Sequence, residues 1–124
     1  MFRILAATAS MLVAAAVPAL AESGPEVRLA LSVTYYDNTF AVGSLSCSPI
    51  GGQHRNPEGA CAELYGASGD IAAADREMTR VCPMHYEPVT VRAVGWYGDG
   101  IVDYTRTYGN SCVFANSAGQ LWNI

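Results

Sequence analysis

The sequence predicts an α+β domain built around an antiparallel sheet, and three observations carry that prediction. Runs that alternate apolar and polar residues stand on both sides of a middle stretch of helical composition. Turn-forming residues separate those runs into pairs. Four cysteines promise covalent support for a small core.

The first 21 residues read as a secretory signal and not as part of the fold. Arg3 gives a positive start, residues 4–17 are nearly all apolar, and Ala19-Leu20-Ala21 offers a cleavage site before Glu22. The run is too short for a membrane span, and no cysteine stands at the cleavage point to carry a lipid. The expected mature protein is one domain, residues 22–124, secreted to the extracellular space and free of the membrane. It keeps six arginines, no lysine and eleven acidic residues, a formal charge of −5. That balance argues against a nucleic-acid partner.

The first predicted strand has Val27, Leu29, Leu31, Val33 and Tyr35 on one face, with Arg28, Ala30, Ser32 and Thr34 between them. Residues 36–39 have turn chemistry, and residues 40–47 run back as a second strand, with Gly43 as a weak point or bulge. Residues 48–55 form a Gly- and Pro-containing loop. Asn56-Pro57-Glu58 then starts a short helix: a capping oxygen, a fixed backbone angle and a negative charge near the positive end. This helix is expected to end near Gly66. A second helix is expected over residues 70–80, with Asp70 as its cap. Residues 89–97 and 101–108 make a second hairpin around Gly98-Asp99-Gly100. Asn110 and Cys112 fall in a looser segment, and residues 121–124 read as a short edge strand.

Cys47, Cys61, Cys82 and Cys112 all follow the signal. In an oxidising compartment they are most simply two disulfides, with three pairings open. A domain of this size buries only about two thirds of its unfolded surface, so such links matter. Zinc is the competing use. No close Cys-x-x-Cys pair is present, however, and His54 and His85 lack ligand spacing. No metal or other cofactor is expected.

Catalytic signatures are missing. There is no Gly-x-Ser-x-Gly, no phosphate-binding glycine loop and no His-Glu-x-x-His. His54 and His85 read as surface histidines, and the cysteines are committed to bridges. The chain is therefore not expected to be an enzyme.

One stretch has a composition that suits neither a helix nor a buried strand: Val81-Cys82-Pro83-Met84-His85-Tyr86-Glu87-Pro88. Pro83 pushes Cys82 toward extended conformations, and Pro88 does the same to Glu87. The segment is stiff before it meets a partner, and Pro88 leads directly into a strand. Met84 and His85 are left to project between the anchors. A rigid extended loop that presents one unbranched apolar side chain is what a serine protease accepts in its primary pocket. Preorganisation lowers the ordering cost of binding. The alternative is that Met84 is an ordinary core residue leading into the next strand. Tyr35, Tyr36, Tyr97, Tyr104 and Tyr108 read as sheet packing, Trp96 as core or dimer contact, and Asn110 as a turn residue unless it supports the loop.

These residues carry a family resemblance. Residues 82–89 resemble the reactive-site segment of the Streptomyces subtilisin inhibitor family, a Cys-Pro-Met followed by a residue, Tyr, an acid, Pro and Val. His54-x-x-Pro57 through Ala60-Cys61-Ala62-Glu63-Leu64 is similar to its His-Pro to Ala-Cys-Ala-Glu-Leu helix. Tyr104-x-Arg106-Thr107-Tyr108-x-Asn110-x-Cys112 is similar to its Tyr-Glu-Arg-Thr-Phe-x-Asn-Glu-Cys. The resemblance implies pairing Cys47 with Cys61 and Cys82 with Cys112. It also implies a five-stranded antiparallel sheet with two short helices, and a homodimer formed through the sheet.

By the same resemblance the reactive bond is Met84-His85. Val81, Cys82 and Pro83 precede it in a protease cleft, Tyr86 and Glu87 follow it, and Asn110 with Pro88 supports the loop. His85 stands where an aliphatic residue is more usual. The implied function is a secreted inhibitor of subtilisin-like, and also chymotrypsin-like, serine endopeptidases. Met84 carries no cation for a trypsin-like acidic pocket. The competing reading is a disulfide-stapled secreted binding or envelope module of the same fold that inhibits nothing.

Overall fold

A computed structural model describes residues 24–124; the segment read as a signal, 1–21, lies outside the described residues. Four strands make one antiparallel sheet: β1 (Val27–Thr34), β2 (Phe40–Cys47), β3 (Val89–Tyr97) and β4 (Gly100–Tyr108), in the order β2-β1-β3-β4. β1 is central, with Val27 opposite Cys47 of β2 and Tyr97 of β3, and Thr34 opposite Phe40 and Thr90. The α+β class and both hairpins stand where the alternation placed them.

Period-2 alternation sends Val27, Leu29, Leu31 and Val33 of β1 to one face, with Leu45 and Cys47 of β2 and Val89, Val91 and Ala93 of β3. Helix α1 (Pro57–Gly66) covers that face through Ala60, Cys61 and Leu64. Each such Val or Leu, fully buried, stabilises the fold by roughly 1.5–3 kcal/mol. Asn56 caps α1 by accepting from the Gly59 amide at 3.1 Å, and Pro57 stands at the first turn as predicted. Disulfides join Cys47 to Cys61 and Cys82 to Cys112. The first ties α1 to β2, and their sequence separations of 14 and 30 residues correspond to about 3 and about 4 kcal/mol in the loop-entropy view.

Five expectations are corrected. The sheet has four strands, not five. The expected edge strand at residues 121–124 is a 3₁₀ turn, Gln120–Trp122. Leu121 and Trp122 are consecutive and both buried under α1. A strand would turn one of them to solvent.

The second helix is not at residues 70–80. Only Ala72–Ala74 coils, as a 3₁₀ turn, and Asp75 is already extended at φ −65°, ψ 144°. Its carboxylate accepts from the Tyr108 hydroxyl at 2.9 and 3.0 Å and from Arg106. The Arg76 amide donates to Ser117 O at 2.8 Å. These long-range partners draw the chain away from the helix its composition favours.

The second α-helix, α2 (Ser111–Ser117), lies in the segment read as loose. Asn110 is its N-cap, accepting from Val113 N at 3.0 Å. Phe114 of α2 meets Tyr108 and Tyr35 edge-on, at ring-centroid distances of 5.4 and 6.3 Å. That aromatic contact seats α2 against the ends of β1 and β4.

His54 is not a surface histidine. It is half-buried, accepts at Nδ1 from the Asn56 amide at 3.0 Å, and has Nε2 2.8 Å from Leu121 O. With Nδ1 occupied as an acceptor, Nε2 carries the hydrogen and donates to the carbonyl. It pins the 48–55 loop to the C-terminal turn.

Candidate functional site

Among the described residues, the chain between Arg76 N and Glu87 N makes no main-chain to main-chain hydrogen bond. It belongs to no helix or strand, contains Pro83 and runs on into Pro88. Met84 is 98% exposed, Val81 99% and Tyr86 74%. Large apolar side chains at that exposure do not serve a core. The reading of Met84 as a core residue leading into β3 is thereby removed. Pro83, His85 and Glu87 are exposed, while Cys82 and Pro88 are partly covered.

The loop is held from beneath by Gly109, Asn110 and Cys112. Glu87 N donates to Gly109 O at 2.9 Å. Asn110 Nδ2 donates to Pro83 O at 2.9 Å and to His85 O at 3.0 Å, so one amide bridges the two residues that flank Met84. Cys112 closes the set through its disulfide to Cys82. Asn110 is 2% exposed. Its Oδ1 is on the helix and both amide hydrogens are on the loop. It caps α2 and at the same time hydrogen-bonds the segment around Met84; the cap is a role the sequence reading did not assign.

Because Cys112 sits in the first turn of α2 and Asn110 caps it, the same short helix grips both sides of Met84-His85. Asn116 adds to this grip, donating to Cys112 O at 2.8 Å and lying 3.8 Å from Cys82 Sγ. In the loop itself, His85 Nε2 is 3.6 Å from Glu87 Oε2. The two side chains share a face of the extended backbone, as i and i+2 positions must.

Sequence reasoning missed Asp75 and Tyr108 as the anchor on the loop's other approach. Burial pushes the Tyr108 hydroxyl well above the usual tyrosine range, and its bond to the Asp75 carboxylate adds to the shift. It therefore remains a donor at any ordinary pH. No local signal in residues 70–80 points to this contact; the only hint is a carboxylate inside a stretch otherwise rich in alanine.

The concavity beside the loop is a cleft of about 440 Å³ lined by Tyr35, Tyr36, Asp37, Thr39, Glu87, Val89 and Ser111. Asp37 there is held below the usual carboxylate range by hydrogen bonds from the Thr39 hydroxyl and amide. Among the described residues no three His, Cys, Asp or Glu side chains converge as a metal site would require. The exposed feature of this region is the segment around Met84.

Several known proteins are similar to this chain in sequence and fold. Subtilisin inhibitor-like protein 5 of Streptomyces fradiae is 40% identical over 82 residues, covering 65% of this chain and 77% of its own. Subtilisin inhibitor-like protein 1 of Streptomyces cacaoi is 44% identical over 82 residues, covering 64% and 74%. Trypsin inhibitor STI2 of Streptomyces longisporus is 37% identical over 114 residues, 86% of this chain and 78% of its own. Among solved structures, Streptomyces caespitosus sermetstatin, in a crystal structure with Bacillus licheniformis subtilisin, superposes with a TM-score of 0.61 at 31% identity. That match covers 75% of this chain and 91% of the other. The family model described as subtilisin inhibitor-like matches residues 26–110, and the chain belongs to that family.

Proposed function

We propose that the protein is a secreted inhibitor of subtilisin-like serine endopeptidases that occupies the protease active site through residues 81–87, with Met84-His85 as the reactive bond. The observation that carries this is the bridging of Pro83 O and His85 O by one buried amide beneath a fully exposed Met84. Family membership and the likeness to an inhibitor bound to subtilisin support it. The apolar run at residues 4–17 and the two disulfides support secretion.

The chemistry follows from the anchors. The protease serine adds to the Met84 carbonyl carbon while residues 81–83 lie along the cleft with backbone groups paired to the enzyme. When the bond to His85 N breaks, the acyl side stays fixed by Cys82-Cys112. The amine side stays fixed by Asn110, by Glu87 N on Gly109 O and by Pro88. The His85 amine is held beside the acyl carbon at high effective concentration, so the bond re-forms faster than water replaces the amine. The protein acts as a ligand of an enzyme, without catalytic groups of its own.

The homodimer belongs to the same reading. The sheet face opposite α1 exposes Phe40, Val42, Val94, Trp96 and Ile101, an apolar patch suited to a second copy of itself. Sedimentation of the protein and of a Val94→Asp variant checks it; a monomeric parent removes the dimer and leaves the inhibitory reading standing.

Titration of the mature protein against subtilisin tests the main proposal. Stoichiometric loss of peptidase activity is expected, with slow nicking confined to Met84-His85. Undiminished subtilisin activity at excess inhibitor would sink it.

A further inference from the structure

The mature chain has no lysine, so its arginines are the only bonds open to a basic-specific endopeptidase. Five of the six in the described residues are protected. Arg28 and Arg92 lie in the two inner strands, paired on both sides. Arg106 lies in β4 and binds Asp75. Arg55 donates its amide to Asn123 O at 3.1 Å, and Arg76 is bound to Ser117 O through its amide and to Ala118 O through its guanidinium. Arg80 alone lies in the segment with no main-chain partner, exposed, with Val81 beside it 99% exposed.

We propose that Arg80-Val81 is a second scissile bond, cut by trypsin-class serine endopeptidases, and that the cut switches the inhibitor off. Water adds across the amide, leaving a carboxylate on Arg80 and an ammonium on Val81. The position relative to the disulfides gives this cut its consequence. A cut at Met84-His85 falls after Cys82, so Cys82-Cys112 keeps the two pieces covalently joined. A cut at Arg80-Val81 falls before Cys82 and after Cys61. One piece then carries Cys47-Cys61, β1, β2 and α1; the other carries Cys82-Cys112, β3, β4 and α2.

Only non-covalent contacts, chiefly the β1-β3 ladder, then hold the pieces together. The strand leading to Met84 loses its tie to the Asp75 and Arg76 anchor and acquires a positive terminus four positions before the reactive bond. Much of the preorganisation that favours tight binding is lost with that tie. The loss of inhibition rests on the proposed function above; the cleavage does not.

Digestion of the disulfide-intact protein with trypsin tests this, using mass spectrometry and denaturing electrophoresis without reductant, beside an Arg80→Gln variant. The expected result is one early cut giving two separable fragments, with the variant whole over the same time. Nicked parent is expected to inhibit subtilisin roughly tenfold or more weakly than intact parent, the variant like intact parent. A resistant parent, a first cut elsewhere, a variant cut equally fast, or full inhibition by the nicked protein would overturn the proposal. If intact parent leaves subtilisin untouched while the two fragments form, the inhibitory reading fails and the cleavage site stands.

Discussion

Asn110 reaches across the loop to hold Pro83: its side-chain amide donates to the Pro83 carbonyl at 2.9 Å while its oxygen caps α2 through Val113 N at 3.0 Å. The same residue therefore stabilises a helix and shapes a binding loop, and the two roles use different atoms. Asn110→Asp keeps the capping oxygen and loses both donors to the loop. The new carboxylate oxygen is buried against the Pro83 and His85 carbonyls, so a clearly lowered thermal midpoint is expected, together with faster cutting of Met84-His85 by subtilisin. Asn110→Ala loses the cap as well, for a stability loss of about 1–2 kcal/mol. Denaturant unfolding beside digestion rates separates the two effects.

Met84→Lys places a cation where the parent offers a neutral, flexible side chain. Inhibition is expected to move from subtilisin toward trypsin, with the fold unchanged because Met84 is 98% exposed. Titrating both enzymes with both proteins checks the exchange.

Replacing Cys82 and Cys112 together by serine removes the covalent hold on the acyl side. A stability loss of about 3–4 kcal/mol is expected from the loop-entropy view. At a temperature where the variant is still folded, subtilisin should cut Met84-His85 as an ordinary substrate. Product appearance by mass spectrometry measures it.

Gly95→Ala tests the sheet that carries the loop. A Cβ at Gly95 would lie 1.9 Å from Arg28 O, and the residue sits at φ +152°, a region L side chains rarely adopt. Either β3 moves away from β1 or the backbone rotates, so a loss of roughly 2 kcal/mol or more is expected in urea unfolding.

Glu63 supplies a pH test. Burial raises its carboxyl above the ordinary 4.5, against the bond from the Gln120 amide and the charge of Arg76. A raised native value means that the folded state binds the extra proton. The contribution is therefore full below the ordinary value and lost as pH rises through the folded one. Glu63→Gln keeps an oxygen for Gln120 N and cannot ionise. Its thermal midpoint relative to the parent is expected to climb as pH rises from the ordinary carboxyl value through the raised folded one.

The loop and the sheet differ in how much of each was legible in the residues. Alternation at residues 27–35 and 89–97 reports which side chains face the core, and a strand's two-residue period makes that a local fact. The stiffness of residues 82–88 is local too, since proline restricts its own angle and its neighbour's. Asn56-Pro57-Glu58 marked α1 for the same reason.

What the sequence by itself determined, then, is the α+β class, the two hairpins, the first helix and the rigid exposed segment around Met84. The tertiary structure decided the rest. Residues 75–80 have helical composition, but Asp75 and Arg76 are held out of a helix by Tyr108, Arg106 and Ser117. Residues 121–124 resemble a strand but curl to bury Leu121 and Trp122 together. Asn110 becomes a loop support only because folding brings Pro83 and His85 to within 3.0 Å of its amide. Each of these outcomes depends on partners more than 20 residues away. A local pattern records only the preferences of neighbouring residues, so the choice between close propensities fell to contacts that exist once the chain has folded.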